Sequence, residues 1–410
     1  MNKQVTIILL CLLSLVGFAK DKQQIIEQTE SDKSTYAKDN LKNDLAVAFG
    51  EKSIERQTSE KEFAAWGKKL KEFLMASDDD FAQASTLAKM ISNLQTASML
   101  AKLHNKNDQV DALNDLSYQP FADLLNQMIA KAELSAVALD ILTKVCFTRE
   151  MADHCHANVL LEKRMQQDTA NLQAYLRPFD IAAKANNTKS MHQLIQLMAA
   201  SQYSRTPLGI TDNMSTLIDA FIANNPIPQS AVDNMITDYQ KLSGISPEKK
   251  TQLDELMPAY MSTFIKSSFF NLNDFPPYKP ILSYCQTNID AVTYCRDITQ
   301  IMIQKSNSMI DKAMGHSLLI ATYELERNQV GIDATTQLNE KFRQTYKCIG
   351  DLGSGKYFID DYFDPELQKI TFNATDEYQM MIQQAELRYR NLKAQGDINA
   401  TNPDSCFDEG

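Results

Sequence analysis

The chain has 410 residues, 44% hydrophobic and 23% charged, enough to bury one or two ordinary cores. Only 12 residues are glycine, well below the usual frequency of roughly 7%, and sheet-rich or loop-rich folds need glycine for turns and bulges, so the shortage favours helices. A net charge of −11 without any basic run argues against nucleic acid or an anionic membrane surface as the main partner, because both reward clustered Lys and Arg.

The first residues, MNKQVTIILLCLLSLVGFAK, read as an export signal spanning 1–19. Lys3 supplies the positive start, Val5 to Val16 the apolar stretch, and Gly17-Phe18-Ala19 the small residues that specify cleavage after Ala19. The stretch is short for a membrane span, although an uncleaved anchor is the alternative. Cys11 lacks a small residue before it, which argues against lipoprotein processing. A short signal of this kind suits bacterial export and predicts a periplasmic or secreted protein, not an integral membrane protein. Residues 20–58 then form a polar leader in which Leu45 to Phe49 open a first helix.

From Ser59 the pattern is helical. Phe63, Trp66, Leu70 and Phe73-Leu74 recur at intervals of three and four, which predicts one apolar face. Ser59 with Glu62 three residues on has the form of an N-terminal capping box. Further amphipathic segments follow at 78–104, 118–131, 134–146, 155–167, 171–186 and 188–201, with several more to about 265.

DTANLQAYLRPFDIAAKANNTKSMHQLIQLMAAS, residues 168–201, resembles a tetratricopeptide-type helical hairpin, a unit of about 34 residues. Asp168 and Asn171 match the polar entry, Ala174-Tyr175 the small-then-aromatic pair, and Ala182-Ala183 the close-packed positions. Asn186-Asn187 stand at the turn, and Ser190-Met191 open the second helix. Pro178-Phe179 occupy the place of the usual Leu-Gly. The expected fold is therefore all-α: degenerate tetratricopeptide-like hairpins over 59–272 in an α-solenoid-like array, followed by a helical C-terminal lobe. NDFPPYKP marks a Pro-rich boundary at 273–283, since Pro276, Pro277 and Pro280 cannot continue a helix. The lobe at 284–410 resumes with helices near 288–304, 306–325 and 333–347, a loop at 350–363, a helix at 374–394 and a polar tail.

Setting aside Cys11, six of the seven cysteines remain. In an oxidising compartment an even number suggests disulfides, and proximity along the chain selects Cys146–Cys155, Cys285–Cys295 and Cys348–Cys406 among the possible pairings. In the chain-entropy model the two short loops contribute about 2.5–3 kcal/mol each and the long one about 4.

No motif in the chain identifies a reaction. GDLGSGKY, residues 350–357, has the spacing of a phosphate loop, but Tyr357 stands where a magnesium-binding hydroxyl is required, and no buried strand precedes it. Cys146, His154, Cys155 and His156 form the only His/Cys cluster, and three adjacent ligands do not converge easily on one ion. His104, His192 and His316 are isolated, with Gly315 making room beside His316. G-x-S-x-G and HExxH are absent. Asp78-Asp79-Asp80 fits the acidic preference of a helix start, whereas Asp360-Asp361 lies in an aromatic loop with Tyr357, Phe358, Tyr362 and Phe363.

Stacked hairpins form a concave groove, so the resemblance implies binding of an extended peptide or a partner helix. The resulting expectation is an exported, non-catalytic binding or scaffold protein of the cell envelope with a protein or peptide partner, no cofactor and no metal. Candidate binding residues are Tyr175 and His192 in the hairpin and Tyr357 and Tyr362 in the aromatic loop. Two other readings stay open: an envelope hydrolase acting on glycan or peptide through carboxylates, and a secreted effector or immunity-type protein. A cleft carrying paired acids of raised pKa would favour the hydrolase.

Overall fold

Apolar residues spaced three and four apart fold as expected into helices. The computed structural model describes residues 54–103, 118–243, 250–269, 276–353 and 364–407, and among these it contains sixteen α-helices, two short 3-10 turns and no strand. The signal at 1–19, most of the leader, Tyr357, Tyr362 and Asp360-Asp361 lie outside the described residues. None of the described helices is long and apolar enough to cross a membrane.

In chain order the helices are α1 (Ile54–Met75), α2 (Asp80–Leu103), α3 (Gln119–Ala130), α4 (Ala136–Cys146) and α5 (Ala157–Gln167). Next come α6 (Gln173–Lys184), α7 (Thr188–Ala199), α8 (Asp212–Asn224), α9 (Gln229–Ser243), α10 (Lys250–Ser267) and α11 (Tyr278–Thr287). The last five are α12 (Val292–Gln304), α13 (Met309–Leu325), α14 (Gln329–Gly353), α15 (Pro365–Phe372) and α16 (Glu377–Ala394). They fall into two units. The first takes the described residues within Met1–Asp78, Lys89–Leu116 and Ser215–Asp274; the second takes Asp79–Ala88, Ser117–Met214 and those within Phe275–Gly410.

In the first unit, α1 packs on α9, and α9 on α10. Trp66, Leu70 and Leu74 give α1 its buried stripe, while Phe73 stays more than a third exposed. Trp66 stacks on Phe63 at 5.7 Å, meets Phe221 edge-on at 5.4 Å, and its indole N–H donates to the Asn225 carbonyl at 2.8 Å. The capping box expected at Ser59 is not used. The helix already begins at Ile54, Ser59 is buried inside it, and Glu62 accepts instead from the Ser230 hydroxyl at 2.6 Å.

In the second unit, α4 and α5 form a hairpin clasped at its turn by the Cys146–Cys155 disulfide. Ser135 caps α4 by accepting from the Ala138 N–H at 3.2 Å. The α6–α7 hairpin turns at Asn186, whose φ of 51° is left-handed, and Asn187 caps α7 by accepting from the Ser190 N–H at 3.1 Å. The packing partner of α7 is then α12, followed through space by α13, α14 and α16, with α11 set against α6 and α13. Neighbours in space here are not the next hairpins in sequence. Leu172, Tyr175, Phe179, Ile195, Ile281, Ile298 and Leu318 share one core with the Cys285–Cys295 disulfide, whose two cysteines are fully buried.

Two boundaries differ from the sequence reading for clear physical reasons. Helix α11 starts within the Pro-rich stretch because Pro280 occupies its first turn, where the missing N–H would have no intrahelical acceptor. Asp364 caps α15 with Pro365 at its first position, accepting from the Glu366 and Leu367 amides at 2.8 and 3.3 Å. Gly350 and Gly353 belong to the last turns of α14.

Gly315 makes room for a neighbouring helix, not for His316. A Cβ there would lie 2.8 Å from Ile303 Cγ1 and 2.9 Å from Met302 Cβ, so the missing side chain sets how closely α13 approaches α12. We expect Gly315→Val to lower the unfolding free energy by about 2–3 kcal/mol through overpacking. Gly67→Ala, with nothing within 4 Å of the new methyl, should raise it by up to about 1 kcal/mol through helix propensity. Urea unfolding of both variants beside the parent checks the contrast.

Candidate functional site

The most unusual chemistry lies around Asp311, in the first turn of α13. Its carboxylate has no exposed surface and receives neutral donors from four segments of the second unit. The Tyr278 hydroxyl of α11 donates to Oδ1, and the Ser204 hydroxyl donates to Oδ2. Ser306 donates to Oδ2 at 2.8 Å, and the Gln173 amide of α6 reaches both oxygens at 2.9 and 2.8 Å.

Backbone pairing brings these groups together. An extended segment after α7 forms bridges from Tyr203 to Asn171 and from Ser204 to Ser306. Asn307 ties the loop before α13 into the same seam: its side-chain amide donates to the carbonyls of Thr206 and Thr375 at 2.9 and 3.1 Å. Glu377 accepts from the Met309 N–H at 2.8 Å.

The electrostatics follow from this enclosure. Burial pushes the Asp311 carboxyl above its ordinary value, against the lowering effect of its four donors. Tyr278 is raised well above a normal phenol by burial and by the Asp311 charge. Glu377 is also raised by burial, with the Asp311 charge adding to the effect and the Met309 amide opposing it. Both acids are raised, and the Asp311 charge contributes to the rise of Glu377. Asp311, however, presents no solvent face to a substrate, and its oxygens are already occupied. The S-x-x-D spelling at Ser308–Asp311 was the available sequence signal, and it suggests a capping box; the carboxylate turns inward instead.

The second arrangement is on the surface. His192 and Gln196 stand one turn apart on α7, with His192 Nε2 at 3.1 Å from the Gln196 side-chain amide. That amide also donates to the Tyr294 hydroxyl of α12 at 3.3 Å, and the His192 and Tyr294 rings meet edge-to-face at 6.0 Å. Leu197, 47% exposed, lies on the next residue of α7. The three polar side chains bond and pack on one another while His192 and Gln196 stay exposed and Tyr294 partly so. Sequence reasoning identified His192 but missed its partners, since the pairing of α7 with α12 carries no local signal.

The other expected site residues go elsewhere. Tyr175 is a core residue, 3% exposed, and its hydroxyl donates to the Thr169 carbonyl at 2.9 Å. It is not brought together with His192 on a common surface. His316 is buried 5.6 Å from the Phe342 ring, its Nδ1 without a hydrogen-bond partner and its pKa lowered by burial and by Lys312. Cys146 and Cys155 are bonded to each other, so their sulfurs are unavailable as thiolate ligands, and no potential metal cluster occurs among the described residues. Asp79 accepts from the Ala82 N–H at 2.6 Å as a helix cap, and Asp80 accepts from Ser135.

Compared with protein-family models, curated proteins and solved structures, the chain matches none.

Proposed function

We propose that the protein is an exported, non-catalytic binding protein that holds a protein or peptide partner on the helical face where α7 meets α12. The observation that carries this reading is the preorganised trio of His192, Gln196 and Tyr294. Side chains already bonded to one another lose less freedom on binding, and their donors and acceptors, on a helix that also exposes Leu197, suit a peptide backbone with an apolar side chain. Three disulfides support an oxidising compartment, in keeping with an export signal. The tetratricopeptide-like reading of 168–201 belongs to this proposal, with the α6–α7 hairpin as its support.

One observation favours the hydrolase reading: Asp311 and Glu377 are neighbouring carboxyls of raised pKa. Asp311 is enclosed with its oxygens occupied, and Glu377 is bonded to the Met309 amide, which makes both better holders of the fold than proton donors to a substrate.

The test is a crosslinked pull-down from envelope extract, quantified by mass spectrometry, with the parent protein, Tyr294→Ala, His192→Ala and the surface variant Val330→Ala, which lies on α14 and not on α7 or α12. A partner captured by the parent and by Val330→Ala, but reduced about tenfold or more by Tyr294→Ala, supports the reading. Equal capture by all four would remove this face from the proposal. Turnover of an envelope glycan or peptide, abolished by Glu377→Gln, would favour the hydrolase.

A further inference from the structure

The C-terminal tail is attached in a different way from the rest of the second unit. Beyond α16 the chain reverses at Gly396, φ 83°, with the Asp397 N–H donating to the Leu392 carbonyl at 3.0 Å. From there to Phe407 the hydrogen bonds run within the tail itself, apart from those to Leu392 and Lys393 at the end of α16. Asn399 N–H donates to Asp397 at 2.8 Å, Asp404 N–H to Asn402 at 3.1 Å, and Phe407 N–H to the Asp404 carbonyl at 2.9 Å. Only Pro403 and Cys406 are buried, whereas Ile398 is 87% exposed. One small ring and one sulfur therefore oppose the conformational entropy of the whole segment, and the Cys348–Cys406 bond supplies the remainder.

The other two disulfides are not placed like this. Cys285 and Cys295 are enclosed in the core. The loop closed by Cys146–Cys155 has further anchors: Met151 is fully buried, and the Asn126 amide bonds the His154 carbonyl at 2.9 Å and the His156 N–H at 3.0 Å. Cys348 on α14 and Cys155 are both partly exposed, so the tail disulfide differs from Cys146–Cys155 in having so few other anchors on the segment it fastens. The Cys348–Cys406 bond fastens the tail over a small apolar cluster that includes Leu352, Tyr378, Met381 and Ile382.

We propose that residues 395–407 are a redox-releasable strap. An external thiolate attacks Cys348 Sγ, forming a mixed disulfide there and expelling Cys406 as a thiolate. A second thiol resolves the mixed disulfide, leaving as the oxidised reductant, and both cysteines take up protons. The tail then leaves its seat and uncovers the apolar ends of α14 and α16, while the Cys285–Cys295 bond between α11 and α12 stays closed in the core.

The experiment treats the full oxidised chain with a graded series of glutathione or dithiothreitol, followed by alkylation, peptide mass spectrometry and amide exchange. Cys348–Cys406 should open first, and tail amides with those of the first turns of α16 should then exchange about tenfold faster or more, while α12 stays protected. The double variant Cys348→Ser/Cys406→Ser, whose cysteines beyond Cys11 are all paired, should show the same exchange pattern without reductant. Earlier opening of either other disulfide, or retained tail protection in the reduced protein or the double variant, would overturn the proposal.

Discussion

Asp311→Ala is expected to destabilise the protein by about 3–5 kcal/mol in urea unfolding, because it strands several donors at once. Ser204, Ser306, Tyr278 and Gln173 all point at the carboxylate, and each buried polar group left without a partner costs about 1–3 kcal/mol. Mutual bonding among the stranded groups, such as that from the Gln173 amide to the Ser204 hydroxyl at 3.0 Å, recovers part of the loss. Asp311→Asn keeps the shape and isolates the charge. The folded-state pKa of Asp311 lies above its unfolded value of 3.8, so the native protein binds this proton more tightly than the unfolded chain does. Its stabilising contribution is therefore complete below pH 3.8 and lost as pH rises through the raised folded-state value. The asparagine variant carries no such dependence. Relative to the parent it should look worst in acid and improve towards neutral pH, a trend that unfolding at pH 4, 6 and 8 would reveal. A constant difference across that range would mean that the carboxyl is not raised. Glu377, raised in the same direction, makes Glu377→Gln a second variant of like sign and smaller size, because Glu377 is only partly buried.

What could be read from the sequence was local. The stripe of Trp66, Leu70 and Leu74 follows from helical periodicity, and the α6–α7 turn from two asparagines, one able to take a left-handed backbone and the other to cap. Separations of 9 and 10 residues made two cysteine pairs legible, since a helical hairpin returns to its own turn. The non-local arrangement was not legible. Nothing in residues 188–199 indicates that α7 packs on residues 292–304, so Tyr294 could not be joined to His192. Nor does Asp311 differ, as a letter in a sequence, from the aspartates at exposed helix starts. Only the bridge between Ser204 and Ser306 places hydroxyls on it from two distant loops. Tyr175 shows the same limit from the other side. The aromatic that matches a repeat position is identical whether it faces a groove or the core, and here it belongs to a core shared with residues of α11 and α12.

Arg164→Met is expected to cost about 3–5 kcal/mol, with most of the loss restored by adding Asp140→Leu. Arg164 of α5 and Asp140 of α4 are both 5% exposed, and the guanidinium bonds the carboxylate directly. Lys144, one turn along α4, approaches Asp140 at 2.8 Å. Burial alone would raise the Asp140 pKa, but the Lys144 and Arg164 charges outweigh it and hold the carboxyl below its ordinary value. Methionine fills much the same space as the arginine stem, so the single variant chiefly tests the charge: it leaves a buried carboxylate half compensated. Removing both charges leaves an apolar contact between α4 and α5, and buried ion pairs replaced in this way are often near neutral in stability. A double-mutant cycle measures the coupling directly. The pH dependence supplies an independent check with the opposite sign to Asp311. A lowered folded-state pKa means that Asp140 contributes stability above its unfolded value of 3.8 and loses it as pH falls through the folded value. The parent should therefore lose this contribution in acid, and the Arg164→Met variant should show less of that loss. If the single and double variants proved equally stable, the pair would be a bystander, and the Cys146–Cys155 clasp with the apolar residues of α4 would carry the hairpin without it.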